Sequence, residues 1–503
     1  MKTRVFLFGK VYPRAAAPAI INAKVAVADG IIQWLGPAEQ YPVPGEYAGP
    51  VALPGFIDSH VHLTATGLDL LAIDARRFSS LSDFLAALHE ADREGEGLVR
   101  AWGFDPDNFR ERRYPTLAEL DRACPRNPLW SNHIESHGTL VNSRSLALLG
   151  ISAGQPLLTG NDNQRARNFF LAAIGAQERE RAILAAAELA ASRGVTTLHA
   201  MEGGKLFHNK DIEAVLALQD RLPVDTVIYP QVLDVEWAWA RGFTRIGGCL
   251  PLDGSSGVYT AALTRPYYQR SDSGLLYFSR AEIFNYVRQA NARGMQVAMH
   301  ACGDAAIDLF LDAVEADKDR QHPAVRHRIE HFELPRRDQV DRCRRLNVIL
   351  SMQPAFDWFW GGPDGDYAAT LGPRGWQNAN PLGWAVAAGL LVAGGSDSDV
   401  TPLDPLLGIH AAINHHNPDQ RISLEQAVAM FTENGALAAG LGDRGRLEPG
   451  LRADMAVLDR DPWEKSRERL KDIAVTATIR AGCVVWRAEP TGRDGQAAPA
   501  REI

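Results

Sequence analysis

The sequence predicts an α/β fold in which parallel strands alternate with helices, and three observations favour it. Apolar, strand-like runs recur along the chain, for example at 195–199 and 391–396. Helix-like segments separate most of these runs, such as 279–293, where Ser279 and Glu282 have the spacing of a capping box. Several runs also end in a histidine or an aspartate, and side chains at the C-terminal ends of strands form the active face of a (β/α)8 barrel.

The size and composition of the chain limit its class. It has 503 residues, of which 46% are hydrophobic and 23% are charged, and this is enough for one large barrel with a smaller second domain. The net charge of −8 argues against a surface that binds nucleic acid or an anionic membrane. Five widely spaced cysteines indicate thiols in a reducing compartment rather than a disulfide framework.

The sequence contains no pattern that is typical of a membrane or secreted protein. No stretch approaches the roughly 18 uncharged apolar residues of a membrane span. The N-terminal apolar run is also far too short for a secretory signal. We therefore expect a cytoplasmic protein that takes a small-molecule substrate and binds neither nucleic acid nor membrane, with homo-oligomerisation left open.

The first barrel strand is expected to end in two histidines. An apolar run near the N-terminus closes with His60 and His62. On a strand, side chains two residues apart leave the same face, so both imidazoles point to one side and could bind one metal ion. His-x-His also occurs by chance, but here His300, His331 and Asp397 end later apolar runs in the same way.

In these motifs the chain resembles the amidohydrolase superfamily. The resemblance depends on Pro-Gly-Phe-Ile-Asp-Ser-His-Val-His at 54–62, on single histidines that end the fifth and sixth barrel strands, and on Gly-Ser-Asp at 395–397. Within the superfamily, the chain more specifically resembles amidohydrolase family 3, the branch that contains N-substituted formamide deformylase. That branch is indicated by Asp253-Gly254 followed by Thr-Ala, by His-Ala-Cys-Gly-Asp at 300–304 and by Arg-His-Arg-Ile-Glu-His at 326–331.

The resemblance implies a metal site. His60, His62 and Asp397 would hold one ion, and His300 with His331 would hold another. Asp397 would also accept the proton of the attacking water. Imidazole and carboxylate ligands suit Zn²⁺ and similar divalent ions, and such an ion lowers the pKa of water toward neutrality. We therefore expect one or two divalent ions, with Zn²⁺ favoured.

The chain departs from the family at Cys249. Related enzymes usually carry a lysine four residues before the Asp-Gly motif, and its carbamate bridges two metals. The preceding lysine in this chain is Lys210, too far away for a small shift of register to supply the bridge. A buried cysteine can be inert packing, which would leave one metal. The alternative, which we predict, is a thiolate ligand that can bridge two zinc ions.

Both ends of the chain are expected to form one small domain. Residues 1–53 and 441–488 hold short apolar runs with turn signals such as Asp29-Gly30. In the family, the two ends fold together as a β-sandwich beside the barrel. Residues 489–503 mix proline, glycine, alanine and charge without periodicity, and we expect a flexible tail there.

The barrel itself is expected to span residues 54–440. Residues 65–175 do not follow the alternation of strand and helix, and the next family-like run, at 194–199, resembles the second barrel strand. We therefore interpret 65–175 as an insertion after the first strand. Such an insertion would act as a substrate-binding lid over the active face.

Five further residues are candidates for contact with the substrate. His199 follows the second barrel strand, and His137 matches a pattern that recurs in the branch, although a plain loop histidine is the alternative for His137. Trp358 lies in an aromatic cluster after the seventh strand and with Trp102 suggests an aromatic wall, although core packing explains such residues as well. Asp304 either orients a metal ligand or caps a helix.

Three functions are compared. The favoured one is metal-dependent hydrolysis of an amide-type C–N bond in an N-acyl or N-formyl amine with a hydrophobic or aromatic substituent. The second is a mononuclear aminohydrolase that deaminates a heterocycle, but the additional Glu/His pair usual in such deaminases is not evident. The third is a non-catalytic barrel that serves as an interaction protein, but such relatives typically lose ligands and this chain keeps five standard positions. Loops rather than the scaffold decide the substrate.

Overall fold

The computed structural model describes residues 3–95, 97–133, 138–152, 154–204 and 208–489. It contains both helices and strands, which confirms the α/β class. The strands are β1 (Arg4–Val11), β2 (Ile20–Ala28), β3 (Ile31–Pro37), β4 (Glu46–Pro54), β5 (Phe56–Val61), β6 (Ile73–Asp74), β7 (Val99–Phe104), β8 (Leu129–His133), β9 (Gly138–Val141), β10 (Leu157–Thr159), β11 (Val195–Glu202), β12 (Asp225–Pro230), β13 (Arg245–Ile246), β14 (Gln296–Gly303), β15 (Arg328–Leu334), β16 (Ile349–Met352), β17 (Val392–Gly394), β18 (Met455–Leu458), β19 (Val475–Arg480) and β20 (Cys483–Arg487).

Helices follow most of the strands. They are α1 (Leu63–Leu70), α2 (Leu81–Glu94), α3 (Leu117–Ala123), α4 (Ser143–Leu149), α5 (Gly160–Ala173), α6 (Ala176–Ser192), α7 (Lys210–Leu218), α8 (Val235–Ala240), α9 (Arg280–Ala292), α10 (Asp304–Ala316), α11 (Arg337–Arg345), α12 (Pro354–Trp360), α13 (Asp366–Leu371), α14 (Leu382–Ala387), α15 (Pro405–Ile413), α16 (Leu424–Met430) and α17 (Glu433–Ala438). The predicted capping box of Ser279 and Glu282 starts α9. Over the described ranges, no helix is both long and apolar enough to cross a bilayer.

The chain divides into two compact units. The first contains the segments Met1–His62, Ala187–Glu202 and Gln219–Ala488, and the second contains Leu63–Ala186, Gly203–Leu218 and Glu489–Ile503. The first unit therefore holds both the barrel strands and the strands from the two chain ends.

Eight strands of the first unit form a ring in the order of a (β/α)8 barrel. Parallel pairing gives one sheet of order β12-β11-β5 and one of order β13-β14-β15-β16-β17. Backbone hydrogen bonds join the two sheets at both edges, from Asp397 N to His60 O at 2.8 Å and from Gly247 N to Pro230 O at 2.9 Å. The carboxyl ends of these parallel strands therefore meet at one face, where the predicted metal ligands lie.

The remaining strands of the first unit come from both chain ends and form one sheet of order β20-β19-β18-β4-β1-β2-β3. Its core takes buried side chains from six of these strands, including Phe6, Val25, Ala52, Val457 and Ile479. Strands from both chain ends thus contribute to one apolar core, because each of them has an apolar face to bury. The two-layered sandwich itself stays a prediction.

The second unit has a sheet of its own, of order β10-β9-β8-β7-β6. Phe84 on α2 packs in its core with Phe104 on β7 and Leu129 on β8. The unit extends beyond the predicted 65–175 insertion. A buried ion pair of 2.6 Å between Arg179 and Asp211 joins α6 to α7, and this long-range contact could not be seen in the local sequence pattern.

Candidate metal centre

The predicted ligands converge at the carboxyl ends of the barrel strands. Three sets of donor atoms lie within 4.8 Å of one another. The sets are His60/His62/Cys249, Cys249/His300/His331 and His60/His331/Asp397. All five ligands implied by the family resemblance therefore lie with Cys249 in one cluster, and Cys249 belongs to two of the three sets.

The distances within the cluster show two halves that share Cys249. Asp397 Oδ1 lies 3.1 Å from His60 Nε2 and 3.2 Å from His62 Nε2. Cys249 Sγ lies 3.3 Å from His331 Nε2 and 3.7 Å from His300 Nδ1. The nitrogens of four imidazoles thus face a carboxylate and a thiol, which is a donor set that zinc accepts.

The outward nitrogens of the first two imidazoles are held by acceptors. His60 Nδ1 lies 2.7 Å from Glu330 Oε2, and His62 Nδ1 lies 3.2 Å from the carbonyl oxygen of Met201. A carboxylate or carbonyl oxygen can only accept, so Nδ1 of each ring carries the proton. The Nε2 atom of each ring then faces Asp397 Oδ1 with its lone pair and can bind a cation there.

The other two imidazoles are held in the same way. His300 Nε2 lies 3.2 Å from Gly254 O, so His300 faces Cys249 with Nδ1. His331 Nδ1 lies 2.9 Å from Gln353 Oε1, so His331 faces Cys249 with Nε2. Every histidine of the cluster thus has one nitrogen fixed by the protein and the other turned inward, as metal-binding histidines do.

Local backbone geometry turns the side chains into the site. His331 and Asp397 have φ values of 73° and 54°, in the left-handed region that non-glycine residues rarely adopt. Such strain clusters at functional sites. A Cβ at Gly395 would lie 2.6 Å from His60 Cβ, so the glycine of the Gly-Ser-Asp motif allows the eighth strand to pass close to the first.

Unpaired polar atoms indicate that the cluster fits a cation. His60 Nε2 and Asp397 Oδ1 are buried, and neither makes a hydrogen bond of good geometry within the part of the chain that the structure describes. Buried polar atoms without partners are costly and uncommon in native proteins. A divalent ion between them would satisfy both atoms, so the residues present fit the metal that the family implies.

The electrostatics of the cluster also favour a bound cation. Burial alone would lower the pKa of His62, but Asp397 and Cys249 outweigh it and raise that pKa to about 10. Burial would raise the pKa of the Cys249 thiol, but the charges of His60 and His331 hold it well below its usual value. The site thus keeps its acidic groups in their charged form. Their negative charge attracts positive charge, which a divalent ion supplies.

Two neighbouring groups of possible donors are already satisfied by the protein. They are Asp253/His300/Cys302 and Cys302/His331/Glu333. The carboxylate of Asp253 accepts three backbone N–H groups, one of them from Gly303 at 2.7 Å. Glu333 accepts the Cys302 thiol at 3.0 Å and the Tyr367 hydroxyl at 2.8 Å. Asp253, Cys302 and Glu333 therefore hold loops together, and we assign no further ion to them.

Two of the predicted substrate contacts, Asp304 and His199, make hydrogen bonds within the protein. Asp304 accepts the backbone N–H of Thr264 at 2.8 Å and a guanidinium N–H of Arg336 at 3.1 Å, so it anchors a loop rather than a metal ligand. His199 is fully buried, and its Nδ1 accepts from Arg328 Nη1 at 2.9 Å. Burial and the Arg328 charge hold the pKa of His199 well below its ordinary value. The predicted contact of His199 with a substrate stays a prediction.

The aromatic cluster after the seventh strand divides between two sides of α12. The ring of Trp358 lies 4.7 Å from that of His410, a residue of α15. Phe356 instead stacks on His331 with ring centroids 5.9 Å apart, and Trp360 lies 4.8 Å from Phe356. Residues two apart on a helix point in nearly opposite directions, so Phe356 and Trp360 lie on the His331 side of α12, and substrate contact by Trp358 stays a prediction.

The remaining two substrate candidates are Trp102 and His137. Trp102 belongs to the second unit, where the guanidinium carbon of Arg76 lies 4.0 Å from its ring centroid and covers one face. His137 lies outside the described residues. Their predicted contact with a substrate stays a prediction.

Sequence reasoning missed the residues that orient the ligands. Glu330 and Gln353 hold His60 and His331, and both are buried in the barrel. One signal was available for Glu330: charged residues are rare in a buried strand, yet Arg328 and Glu330 alternate on β15. Nothing local marks Gln353, because its partner is distant in the chain.

Comparison with known proteins agrees with this geometry. Residues 48–486 match the model of the amidohydrolase family. The putative amidohydrolase YtcJ of Bacillus subtilis is 26% identical, over 92% of this chain and 95% of that protein. The N-substituted formamide deformylase of Arthrobacter pascens is 26% identical, over 89% of this chain and 90% of that protein.

A solved structure of similar length supports the same assignment. It is an uncharacterized metal-dependent hydrolase from Pyrococcus furiosus, with a TM-score of 0.78 and 26% identity, over 92% of this chain and 100% of that chain. The family match covers most of the sequence, including every residue of the metal-ligand cluster. The chain therefore belongs to the amidohydrolase family, in its family 3 branch, and is a metal-dependent hydrolase.

Proposed function

We propose that this enzyme hydrolyses the amide-type C–N bond of a small N-acyl or N-formyl amine. The observation that carries the proposal is the arrangement of four histidines around Asp397 and Cys249, each with one nitrogen fixed by the protein and the other turned inward. The similarity to an N-substituted formamide deformylase makes N-formyl amines the first compounds to test.

In this proposal the cluster holds one or two divalent ions. His60, His62 and Asp397 form one half of the site, and His300 and His331 form the other. Cys249 lies between the halves, within 3.7 Å of His300 and 3.3 Å of His331, and serves both as a thiolate. Thiolate ligands favour Zn²⁺ over harder ions such as Mg²⁺ or Mn²⁺, so zinc is the proposed ion.

The residues of the site have different roles in the proposed reaction. A divalent ion, when bound, lowers the pKa of water toward neutrality, so that attack on a carbonyl becomes possible near pH 7. Asp397 accepts the proton of that water and later returns it to the leaving amine, because its carboxylate points into the site. The burial of His60 and Asp397 excludes bulk water and strengthens these interactions.

The aromatic side chains beside the site support a hydrophobic or aromatic substituent on the substrate. Phe356 covers one face of His331, and Trp360 extends from Phe356 and is only half-buried. Apolar burial against these rings would supply much of the binding energy. A lid formed by residues 65–175 remains part of the proposal.

A substrate screen tests the reaction type. Purified enzyme is loaded with Zn²⁺ and incubated with N-formyl amines, N-acyl amino acids, hydantoins and heterocyclic amines, and both product amine and ammonia are measured. We expect an amine and an acid from at least one amide, and a strongly reduced rate in Asp397→Asn. Release of ammonia from an aminopurine or aminopyrimidine, with no amide cleaved, would show that the enzyme is a deaminase instead.

A further inference from the structure

We propose that Glu330, held in place by Arg328, is a positioning residue that sets the orientation of His60 and the nitrogen on which it carries its proton. This inference rests on the metal centre of the proposed function. Glu330 is completely buried on β15, and its Oε2 lies 2.7 Å from His60 Nδ1. The opposite nitrogen of His60, Nε2, lies 3.1 Å from Asp397 Oδ1.

Arg328 ties Glu330 to the wall of the barrel. Arg328 is also completely buried, and its Nη2 donates to Glu330 Oε2 at 2.7 Å and to the hydroxyl of Ser351 at 2.9 Å. Its Nη1 donates to His199 Nδ1 at 2.9 Å. These partners lie on strands β11 and β16, so the guanidinium is fixed from two sides of the ring. Because the guanidinium is fixed, it in turn holds the Glu330 carboxylate beside His60.

Stability alone does not explain this buried charge pair. Removing two charges from water costs several kcal/mol for each ion, and well-packed apolar residues in their place are often equally stable or better. The pair does supply a partner for His60 that can only accept a hydrogen bond, as long as Arg328 keeps the carboxylate ionised. His60 must then hold its proton on Nδ1, and its Nε2 lone pair faces Asp397.

The partner of His60 is a carboxylate at short range. His62, His300 and His331 donate to neutral oxygens, two from backbone carbonyls and one from the Gln353 amide. Asp253 Oδ1 also lies 3.4 Å from His300 Nε2, but the 2.7 Å contact of Glu330 with His60 Nδ1 is much shorter. A carboxylate partner raises the basicity of the imidazole and strengthens its bond to a metal. The first half of the site therefore depends on Glu330 for its affinity.

The experiment compares metal binding by the metal-free wild type and by Glu330→Gln, which keeps the shape of the side chain and removes its charge. Zn²⁺ affinity is measured by competition with a chelator, and the absorption spectrum of the Co²⁺-loaded protein reports ligand geometry. We expect Glu330→Gln to bind one ion about 10–100-fold more weakly and to show an altered Co²⁺ spectrum.

Glu333→Gln is the matched control. Glu333 is buried near the end of the same strand, but it accepts from Cys302 and Tyr367 rather than from a proposed ligand. A general disturbance of β15 would change both variants equally. We expect wild-type affinity and an unchanged Co²⁺ spectrum in Glu333→Gln.

A measurement on the wild type keeps the inference testable if Glu330→Gln does not fold. In zinc-loaded protein with ¹⁵N-labelled histidine, the His60 signal is assigned by its loss in His60→Gln, and its proton should reside on Nδ1. A His60 proton on Nε2, or unchanged affinity and spectrum in Glu330→Gln, would overturn the positioning role while the metal centre stands. If the wild type binds neither Zn²⁺ nor Co²⁺, the proposed function fails as well.

Discussion

Two histidines four residues apart are almost equally buried: His327, just before strand β15, and His331, within it. His327 accepts the backbone N–H of Val297 at Nδ1, 3.1 Å away, and its Nε2 donates to Asn291 Oδ1 at 2.9 Å. His331 donates from Nδ1 to Gln353, and its Nε2 faces the Cys249 thiol. Both nitrogens of His327 are occupied by the fold, whereas one nitrogen of His331 is turned into a cluster of donors.

The difference shows that burial does not identify a metal ligand. Both rings are almost inaccessible to water, and both belong to the same short stretch of sequence. What separates them is the use of the second nitrogen, which the protein satisfies at His327 and reserves at His331. The comparison predicts that substitutions near His331 change metal binding and catalysis, while substitutions near His327 change stability and its dependence on pH.

The largest expected effect is on turnover, at Asp397. Asparagine at this position still offers an oxygen to a metal but cannot accept a proton. We expect Asp397→Asn to lose about 10²–10⁴-fold in kcat and to retain most of its zinc, as measured by steady-state kinetics and metal analysis. An Asp397→Asn enzyme with most of the wild-type kcat would rule out Asp397 as the base.

The next largest effect is on metal content, at Cys249. Serine is similar in size but a much poorer zinc ligand, because its hydroxyl stays protonated near neutral pH. We expect Cys249→Ser to bind zinc more than about 100-fold more weakly, since loss of a ligand should cost more than loss of a group that only orients one. Equal zinc content and equal activity in the wild type and in Cys249→Ser would show that Cys249 is only a packing residue.

A smaller effect is expected on substrate binding, at the two tryptophans of α12. Trp360 packs on Phe356, next to His331, whereas Trp358 packs on His410. We expect Trp360→Ala to lower kcat/KM by about 10-fold for a substrate with an aromatic substituent, because apolar contact area is lost. Trp358→Ala is the control and should leave kcat/KM unchanged. Equal losses in both variants would place the aromatic wall elsewhere.

The smallest effect is on stability, at His327. Burial lowers the pKa of His327 to about 4 in the folded protein, below the value of about 6.5 expected in the unfolded chain. The unfolded chain therefore binds more protons between these two values, and the stabilising contribution that is present above pH 6.5 is lost as the pH falls toward 4. Each pH unit in this window should lower the free energy of unfolding by up to about 1.4 kcal/mol.

Denaturant titrations from pH 8 to pH 5 measure this slope. His327→Gln removes the titrating group and should show a shallower loss of stability below pH 6.5 than the wild type does. The difference between the two slopes isolates His327 from all other groups that titrate in the same range. Identical slopes would mean that His327 is charged in the folded protein, contrary to its two hydrogen bonds.

The sequence by itself determined the α/β class, the amidohydrolase family and the cluster of candidate ligands. His60 and His62 could be paired from the sequence because side chains on a strand alternate with a period of two. His300, His331 and Asp397 could be added because the carboxyl ends of parallel strands meet at one face. These inferences need only local periodicity and chain order, which the sequence displays directly.

Only the tertiary structure decided which side chains orient the ligands and which way each aromatic ring points. Glu330 reaches His60 across 270 positions of sequence, and Asp304 bonds Thr264 rather than a ligand. Trp358 and Trp360 cannot be told apart by composition, because the rotation of α12 about its axis depends on what packs against it. Such contacts depend on register between strands and on helix orientation, which distant residues fix together through burial.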